Sequence, residues 1–182
     1  DTRQVRRGLG SIRQDLNVSI ACGDRVEIKG CQDLDWIPRI IRLEMVRQLH
    51  FYRLANELRK EANLPPLPSD RAVDATPVEN RVALAASSRI PLDIHDLTEL
   101  FGACESTVVR GFLEEGATVH GVALPGFFGK IGIKADDANA SQLPRLGREL
   151  ASAAKLAGVA GIFHSDELPD YGISQEEVDS VR

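Results

Sequence analysis

Two strand-forming runs, residues 15–22 and 26–32, flank Gly23-Asp24-Arg25. Runs of this kind on either side of a Gly-Asp turn predict a β-hairpin. Its register can be tested on the sequence. A two-residue loop at Gly23-Asp24 sets Ile20 against Glu27 and Val18 against Lys29, mixing apolar and charged side chains on one face. A three-residue loop, 23–25, instead gathers Leu16, Val18, Ile20 and Cys22 with Val26 and Ile28. Burial selects the second pairing, because a slip of one residue moves every side chain to the wrong face. The opposite face then holds Arg13, Asp15, Asn17, Ser19, Glu27 and Lys29.

That polar face has two readings. One is the solvated side of an antiparallel sheet. The other is a site, since two cations, two carboxylates, an amide and a hydroxyl can hold phosphates, orient a metal's water shell and stabilise developing charge.

Residues 34–62 change period from 2 to about 3.6, with Ile37, Ile40, Ile41, Glu44, Met45, Gln48, Leu49, Tyr52, Ala55 and Leu58 at helical spacings. Asp35 is the expected N-cap and Pro38 falls in the first turn. This long amphipathic helix is expected against the hairpin's apolar face, with its five arginines on the solvated side. Three prolines within 65–68 end it. A connector follows, with a short helix expected from Thr76-Pro77 through Leu84.

From Ile90 a second unit begins. The expected elements are an extended piece at 91–96, a helix at 106–114 closed by Gly116, a strand at 117–124, a turn at 125–129 and a returning strand at 130–134. A helix at 143–156 stopped by Gly158 and a final apolar strand at 159–163 complete it, and a capping box, Ser174 to Glu177, opens a last helix. A hairpin at the centre of such a mixture predicts a two-layer α+β sandwich.

Several tempting constellations carry no chemistry. His164-Ser165-Asp166-Glu167 holds every member of a hydrolase triad, but adjacent residues cannot converge as a triad must, so a strand-ending turn with Ser165 or Asp166 as a cap is expected. The glycines of 126–129 make a turn before they make a phosphate cradle. Three cysteines, Cys22, Cys31 and Cys104, and four scattered histidines have no metal-ligand spacing, so free thiols in a reducing cytoplasm and no zinc site are expected. No apolar run approaches the roughly 18 residues of a membrane span, and none follows the start as a signal peptide's core would. Residues 1–60 hold 12 Lys and Arg against 8 Asp and Glu, whereas 61–182 hold 10 against 19. A basic first third suits a phosphate-rich partner; the acidic remainder excludes a general DNA binder and confines any RNA contact to a local surface.

The run Gly10-Ser11-Ile12-Arg13-Gln14-Asp15-Leu16-Asn17-Val18-Ser19, followed by Arg25-Val26-Glu27-Ile28-Lys29-Gly30 and Gln32-Asp33-Leu34, resembles the catalytic domain of the B/E subunit family of tRNA-dependent amidotransferases. Ile-Arg-Gln-Asp with Ile-Lys-Gly is similar to the archaeal E branch, and the helix segment 40–48 continues the likeness. Leu124-Pro125-Gly126-Phe127, the run 157–169 and Tyr171-Gly172-Ile173 resemble the insertion domain shared by that branch and bacterial aspartyl-tRNA synthetases.

The resemblance implies an α+β chain: the end of a glutamine-synthetase-type antiparallel sheet with its long helix and connector in residues 1–89, then a two-layer α+β insertion domain in 90–182. It also implies ATP and Mg2+ as cofactors, Glu-tRNA(Gln) as substrate and an asparaginase-like glutaminase, the D subunit, as partner. On that reading Arg13, Asp15 and Lys29 are the candidate catalytic residues, Arg13 and Lys29 stabilising phosphate charge. Asn17, Ser19 and Glu27 are the candidate substrate or nucleotide ligands, and no metal ligand is assigned. The family's principal metal-binding acids lie in an earlier half of the sheet, so little or no ATP turnover is expected of this chain alone. A first residue other than Met fits a piece of a longer polypeptide. The alternative is a non-catalytic module that contacts tRNA or another subunit.

Overall fold

The computed structural model describes residues 13–71, 93–132 and 144–181, which fall into two compact units, 13–71 with Pro144, and 93–132 with 145–181. The expected connector helix and Lys134 lie outside the described residues.

In the first unit β1 (Leu16–Val18) and β2 (Val26–Ile28) pair antiparallel, Leu16 with Ile28, Asn17 with Glu27 and Val18 with Val26. The faces are those expected, but the register is not. A three-residue loop would set Val18 opposite Gly30; instead the ladder stops at Val18 and residues 19–25 form a wide loop. The cause is a side chain from the helix. The carboxamide of Gln48 donates to the Val18 carbonyl (3.2 Å) and accepts from the Ile20 N–H (3.3 Å), occupying backbone groups a longer ladder would use. Gly23 closes the loop, its N–H donating to Ile20 O at 2.9 Å; a Cβ there would collide with the Gln48 amide.

A 3-10 turn (Leu34–Trp36) leads into α1 (Ile37–Glu61). The aspartate that caps this entry is Asp33, which accepts from the Asp35 N–H at 3.0 Å, rather than Asp35, because the 3-10 turn begins one residue before it. Pro38 sits in the first turn of α1, as expected. α1 packs on β1, and Val18, Leu54, Glu44 and Gln48 are buried. Two of these are polar, and they satisfy each other. Glu44 accepts from Gln48 Nε2 (2.9 Å) and from Nε and Nη2 of Arg47 (2.8 and 3.1 Å).

Beyond Glu61 the chain reverses through Asn63, at φ 54°, and the proline segment lies back along the helix. Leu67 N–H donates to Asn56 Oδ1 (2.7 Å), Tyr52 donates to the Leu67 carbonyl (3.3 Å) and Arg59 to that of Pro65 (2.6 Å). At its end Arg71 donates its N–H to Ala21 O (2.9 Å) and pairs with Asp24 (3.0 Å), tying this segment to the hairpin loop.

In the second unit β3 (Ile94–Asp96) pairs antiparallel with β4 (His120–Val122), His95 opposite Gly121. Between them lie α2 (Thr98–Phe101) and α3 (Thr107–Glu114), the latter capped by Ser106 and closed at Gly116 with φ 87°. α4 (Leu146–Leu156), a 3-10 turn (Ser165–Glu167) and α5 (Gln175–Val181) follow. The capping box of α5 is present: Ser174 N–H donates to Glu177 Oε2 (2.6 Å) and Glu177 N–H to Ser174 Oγ (3.2 Å). The core is Phe101, Cys104, Ile173 and Val178, with Phe163 edge-on to Phe101 at 5.3 Å.

Two expected strands do not form among the described residues. Lys130–Gly132 are turn and bend, because the Lys130 N–H donates to the Phe127 carbonyl and those of Ile131 and Gly132 to a carboxylate instead of a neighbouring strand, and β4 takes β3 as its partner. Residues 159–163 form no strand either; Val159 and Ile162 stay exposed and only Phe163 reaches the core. The class is α+β, but a central hairpin made by 117–124 and 130–134 does not form among the described residues.

Candidate functional site

The polar face of β1–β2 is assembled by alternation and then tightened by a bulge. Gly30, at φ 76°, turns its N–H toward Asp15 Oδ1 (3.0 Å), while Cys31 N–H donates to the Gln14 carbonyl (2.9 Å). The Gly30 N–H, with Arg13 and Lys29 nearby, holds the Asp15 carboxyl below its ordinary range against the opposing effect of burial. Asp15 is therefore an ionised acceptor tied to the backbone.

Around it stand the other candidates. Arg13 Nε is 3.5 Å from Asp15 Oδ1, and Lys29 Nζ is 3.1 Å from Glu27 Oε2. Asn17 is directly opposite Glu27. Ser19 is the exception: it is exposed in the wide loop, past the last strand pair. The structure thus brings together Arg13, Asp15, Asn17, Glu27 and Lys29 and leaves Ser19 outside the ladder. Both cations are largely exposed, 64% for Arg13 and 58% for Lys29, so each can turn from its carboxylate toward an incoming anion. Among the described residues no group of three or more His, Cys, Asp or Glu can hold a metal ion.

Helical spacing puts Glu44 and Gln48 on the inner face of α1 but does not disclose that they hold the hairpin. The signal was there: two polar residues four apart in an apolar stripe require partners.

In the second unit Asp166 is neither a triad member nor a local cap. Its Oδ1 accepts from Gly129 N–H (2.7 Å) and its Oδ2 from Ile131 and Gly132 N–H (2.8 and 3.1 Å). The loop after Phe127 is an anion nest already occupied by a side chain of the same unit. Burial raises the Asp166 carboxyl, but the N–H groups of Gly129, Gly132 and Ile131, with His164, prevail and hold it low.

A catalytic-domain profile described as GatB/GatE matches residues 2–123, the span that contains the whole hairpin and α1, and the chain belongs to that family. Among curated relatives, the E subunit of the glutamyl-tRNA(Gln) amidotransferase of Pyrococcus furiosus is 44% identical over 181 residues, covering 100% of this chain and 24% of the relative. The corresponding E subunit of Methanopyrus kandleri is 40% identical over 178 residues (98% and 24%), and that of Methanocaldococcus jannaschii 38% over 183 (100% and 24%). The chain therefore spans about a quarter of the length of these relatives. No helix among the described residues is long and apolar enough to cross a membrane.

Proposed function

We propose that this chain is part of the amidotransferase subunit that activates the glutamate of mischarged Glu-tRNA(Gln). In that reaction the γ-carboxylate takes the γ-phosphoryl group of ATP, and ammonia from the asparaginase-like glutaminase partner displaces phosphate to leave Gln-tRNA(Gln). β1 and β2 would belong to a larger antiparallel sheet of the glutamine synthetase type. What carries the reading is the catalytic-domain match over 2–123, which encloses a face bearing two exposed cations and two carboxylates.

The residues fit the phosphate charge better than they fit the metal. On this reading Arg13 and Lys29, the two exposed cations of the face, would neutralise charge on a transferring phosphoryl group, and Asn17 and Glu27 would position substrate. Mg2+ would be held by groups other than the described residues, where no ligand set exists. A binding site assembled from several strands is not complete on one hairpin, so the chain by itself is expected to turn over little or no ATP. A soluble, cytoplasmic setting accords with this chemistry.

The second reading, a module that only contacts tRNA or another subunit, is favoured by one observation: each cation already has a carboxylate partner on the same face. The two readings separate in the full-length protein with its glutaminase partner, assayed for Glu-tRNA(Gln)-dependent ATP hydrolysis. Lys29→Ala is expected to lower kcat by about 100-fold, about 2.7 kcal/mol of transition-state stabilisation. Asp15→Asn, which keeps an acceptor for Gly30, separates charge from structure. Near-wild-type turnover by Lys29→Ala in a folded complex would hand the face to the contact-module reading.

A further inference from the structure

The polar face of β1–β2 takes its shape from a backbone irregularity at its open end. Beyond the Leu16–Ile28 pair, a regular ladder continues with Asp15 opposite Lys29 and Gln14 opposite Gly30. The chain departs from that pairing by one residue. Cys31, and not Gly30, donates its N–H to the Gln14 carbonyl (2.9 Å), so Gly30 and Cys31 together face Gln14. With Gly30 at φ 76°, this is the β-bulge whose first residue is a left-handed glycine.

The extra residue reverses the alternation. Cys31 has the parity of Glu27 and Lys29 and would join them on the polar face of an unbroken strand; instead it is 5% exposed, and Lys29 is the last side chain ahead of the reversal. The bulge also withdraws the Gly30 N–H from the ladder, and that donor goes to Asp15 Oδ1 (3.0 Å). The same N–H, and after it the charges of Arg13 and Lys29, hold the Asp15 carboxyl low against burial, so both cations bear on one anchored carboxylate. Arg13 Nε stands 3.5 Å from its Oδ1. A carboxylate free to rotate would follow whichever cation moved; tied to the main chain, it gives both a fixed point of reference.

Glycine is required at position 30 for its backbone and not for its size. A Cβ built there meets nothing within 4 Å, so a side chain has room, and only the positive φ discriminates between residues. Asn enters the left-handed region readily, whereas Ala is disfavoured there. Bulges of this kind re-aim the side chains beside them, and Lys29 is the immediate neighbour. We propose that Gly30 is a positioning residue for the phosphoryl chemistry: its left-handed backbone makes the bulge that anchors Asp15 and aims Lys29 at the transferring group. This inference rests on the phosphate-charge role proposed above for Lys29.

The test is a double-mutant cycle in the full-length protein with its glutaminase partner, reading kcat and KM of Glu-tRNA(Gln)-dependent ATP hydrolysis. Gly30→Ala is expected to lower kcat about tenfold and to leave KM for ATP within about threefold, because misplaced charge is lost from the transition state and not from binding. Gly30→Asn should recover most of that loss, since it keeps the backbone conformation. Added to Lys29→Ala, Gly30→Ala should lower kcat by less than about threefold further, because a residue that acts through Lys29 has nothing left to position. Asp15→Ala removes the same hydrogen bond from its other end. It repeats the cycle if Gly30→Ala does not assemble, with the same expected loss and the same non-additivity with Lys29→Ala. The proposal is overturned if Gly30→Ala keeps kcat within about threefold of wild type while Lys29→Ala loses it, or if Gly30→Asn falls as far as Gly30→Ala. It is overturned equally if the two losses multiply in the double variant, as a purely structural role would make them. Near-wild-type turnover by Lys29→Ala overturns the phosphate reading itself, and this inference with it.

Discussion

Replacing Gln48 tests whether one helix side chain sets the geometry of the hairpin. Its carboxamide makes three hydrogen bonds, to Val18 O (3.2 Å), Ile20 N–H (3.3 Å) and Glu44 Oε1 (2.9 Å), at a position only 8% exposed. Gln48→Leu keeps the volume and removes all three, leaving two backbone groups and part of a carboxylate unsatisfied. At about 0.5–1.5 kcal/mol for each net bond, and more where a buried group finds no water, the loss is about 2–4 kcal/mol. Gln48→Glu sharpens the argument. It keeps an acceptor for Ile20 but turns the donor facing Glu44 into a second carboxylate. Burial and the like charge raise the folded-state pKa of that new group above its unfolded value. Its favourable, protonated form is then present at low pH and lost as pH rises through the folded value, so the deficit should be larger at about pH 7 than at about pH 5. Urea unfolding followed by the fluorescence of Trp36, the chain's single tryptophan, reports on the first unit, which contains it. A Gln48→Leu loss below about 0.5 kcal/mol, or a Gln48→Glu deficit unchanged between the two pH values, would refute the idea that this amide holds the chain out of the longer ladder.

Other substitutions read other joints. Asp166→Ala removes the acceptor of three backbone N–H groups and should destabilise the second unit by about 2–4 kcal/mol, with Asp166→Asn recovering part of it, measured as a shift in thermal midpoint. Because the folded Asp166 carboxyl is held below the ordinary 3.8, its contribution should be constant above that pH and disappear as pH falls through the lower folded value; a wild-type minus Asp166→Asn difference that grew on acidification would contradict this. Gly172 has φ 78°, and a Cβ there would stand 2.5 Å from Ser106 N, against rigid backbone. Gly172→Ala should therefore cost about 2–4 kcal/mol in denaturant unfolding and loosen the Ser106 cap of α3, whereas a loss under about 1 kcal/mol would mean that the two segments separate easily.

What was legible in the sequence was local. Alternation decided which side chains share a face of the hairpin, and this survived a change of register because the expected and observed pairings differ by an even number of residues. The register itself depends on Gln48, 28 residues from Ile20, and no turn residue announces that. The helices read well for the same reason: period, Pro38, Gly116, Gly158 and the Ser174–Glu177 box are all signals within one turn of the element they mark. Residues 130–132 and 159–163 do not form the strands expected there, because apolar alternation describes a segment able to pair and says nothing of what competes for its N–H groups. At 129–132 the competitor was the carboxylate of Asp166, 34–37 residues away.

The same division runs through the candidate site and orders its residues. Alternation put six polar side chains on one face, but only the folded chain reveals that Asp15 is committed to the Gly30 N–H and that each cation has a resident carboxylate. These commitments are unequal. Asp15 closes a backbone bulge, so releasing it breaks a charge-assisted hydrogen bond from the Gly30 N–H. The Lys29–Glu27 pair is exposed at both ends, and pairs of that kind hold by about 0–1 kcal/mol. An incoming phosphate can take Lys29 from Glu27 at little cost, and Arg13, still more exposed, from Asp15, whose carboxylate keeps its backbone partner when the guanidinium leaves. If the face does meet phosphate as proposed, Arg13 and Lys29 are therefore the groups that would move to it, while Asp15 would stay with the Gly30 N–H.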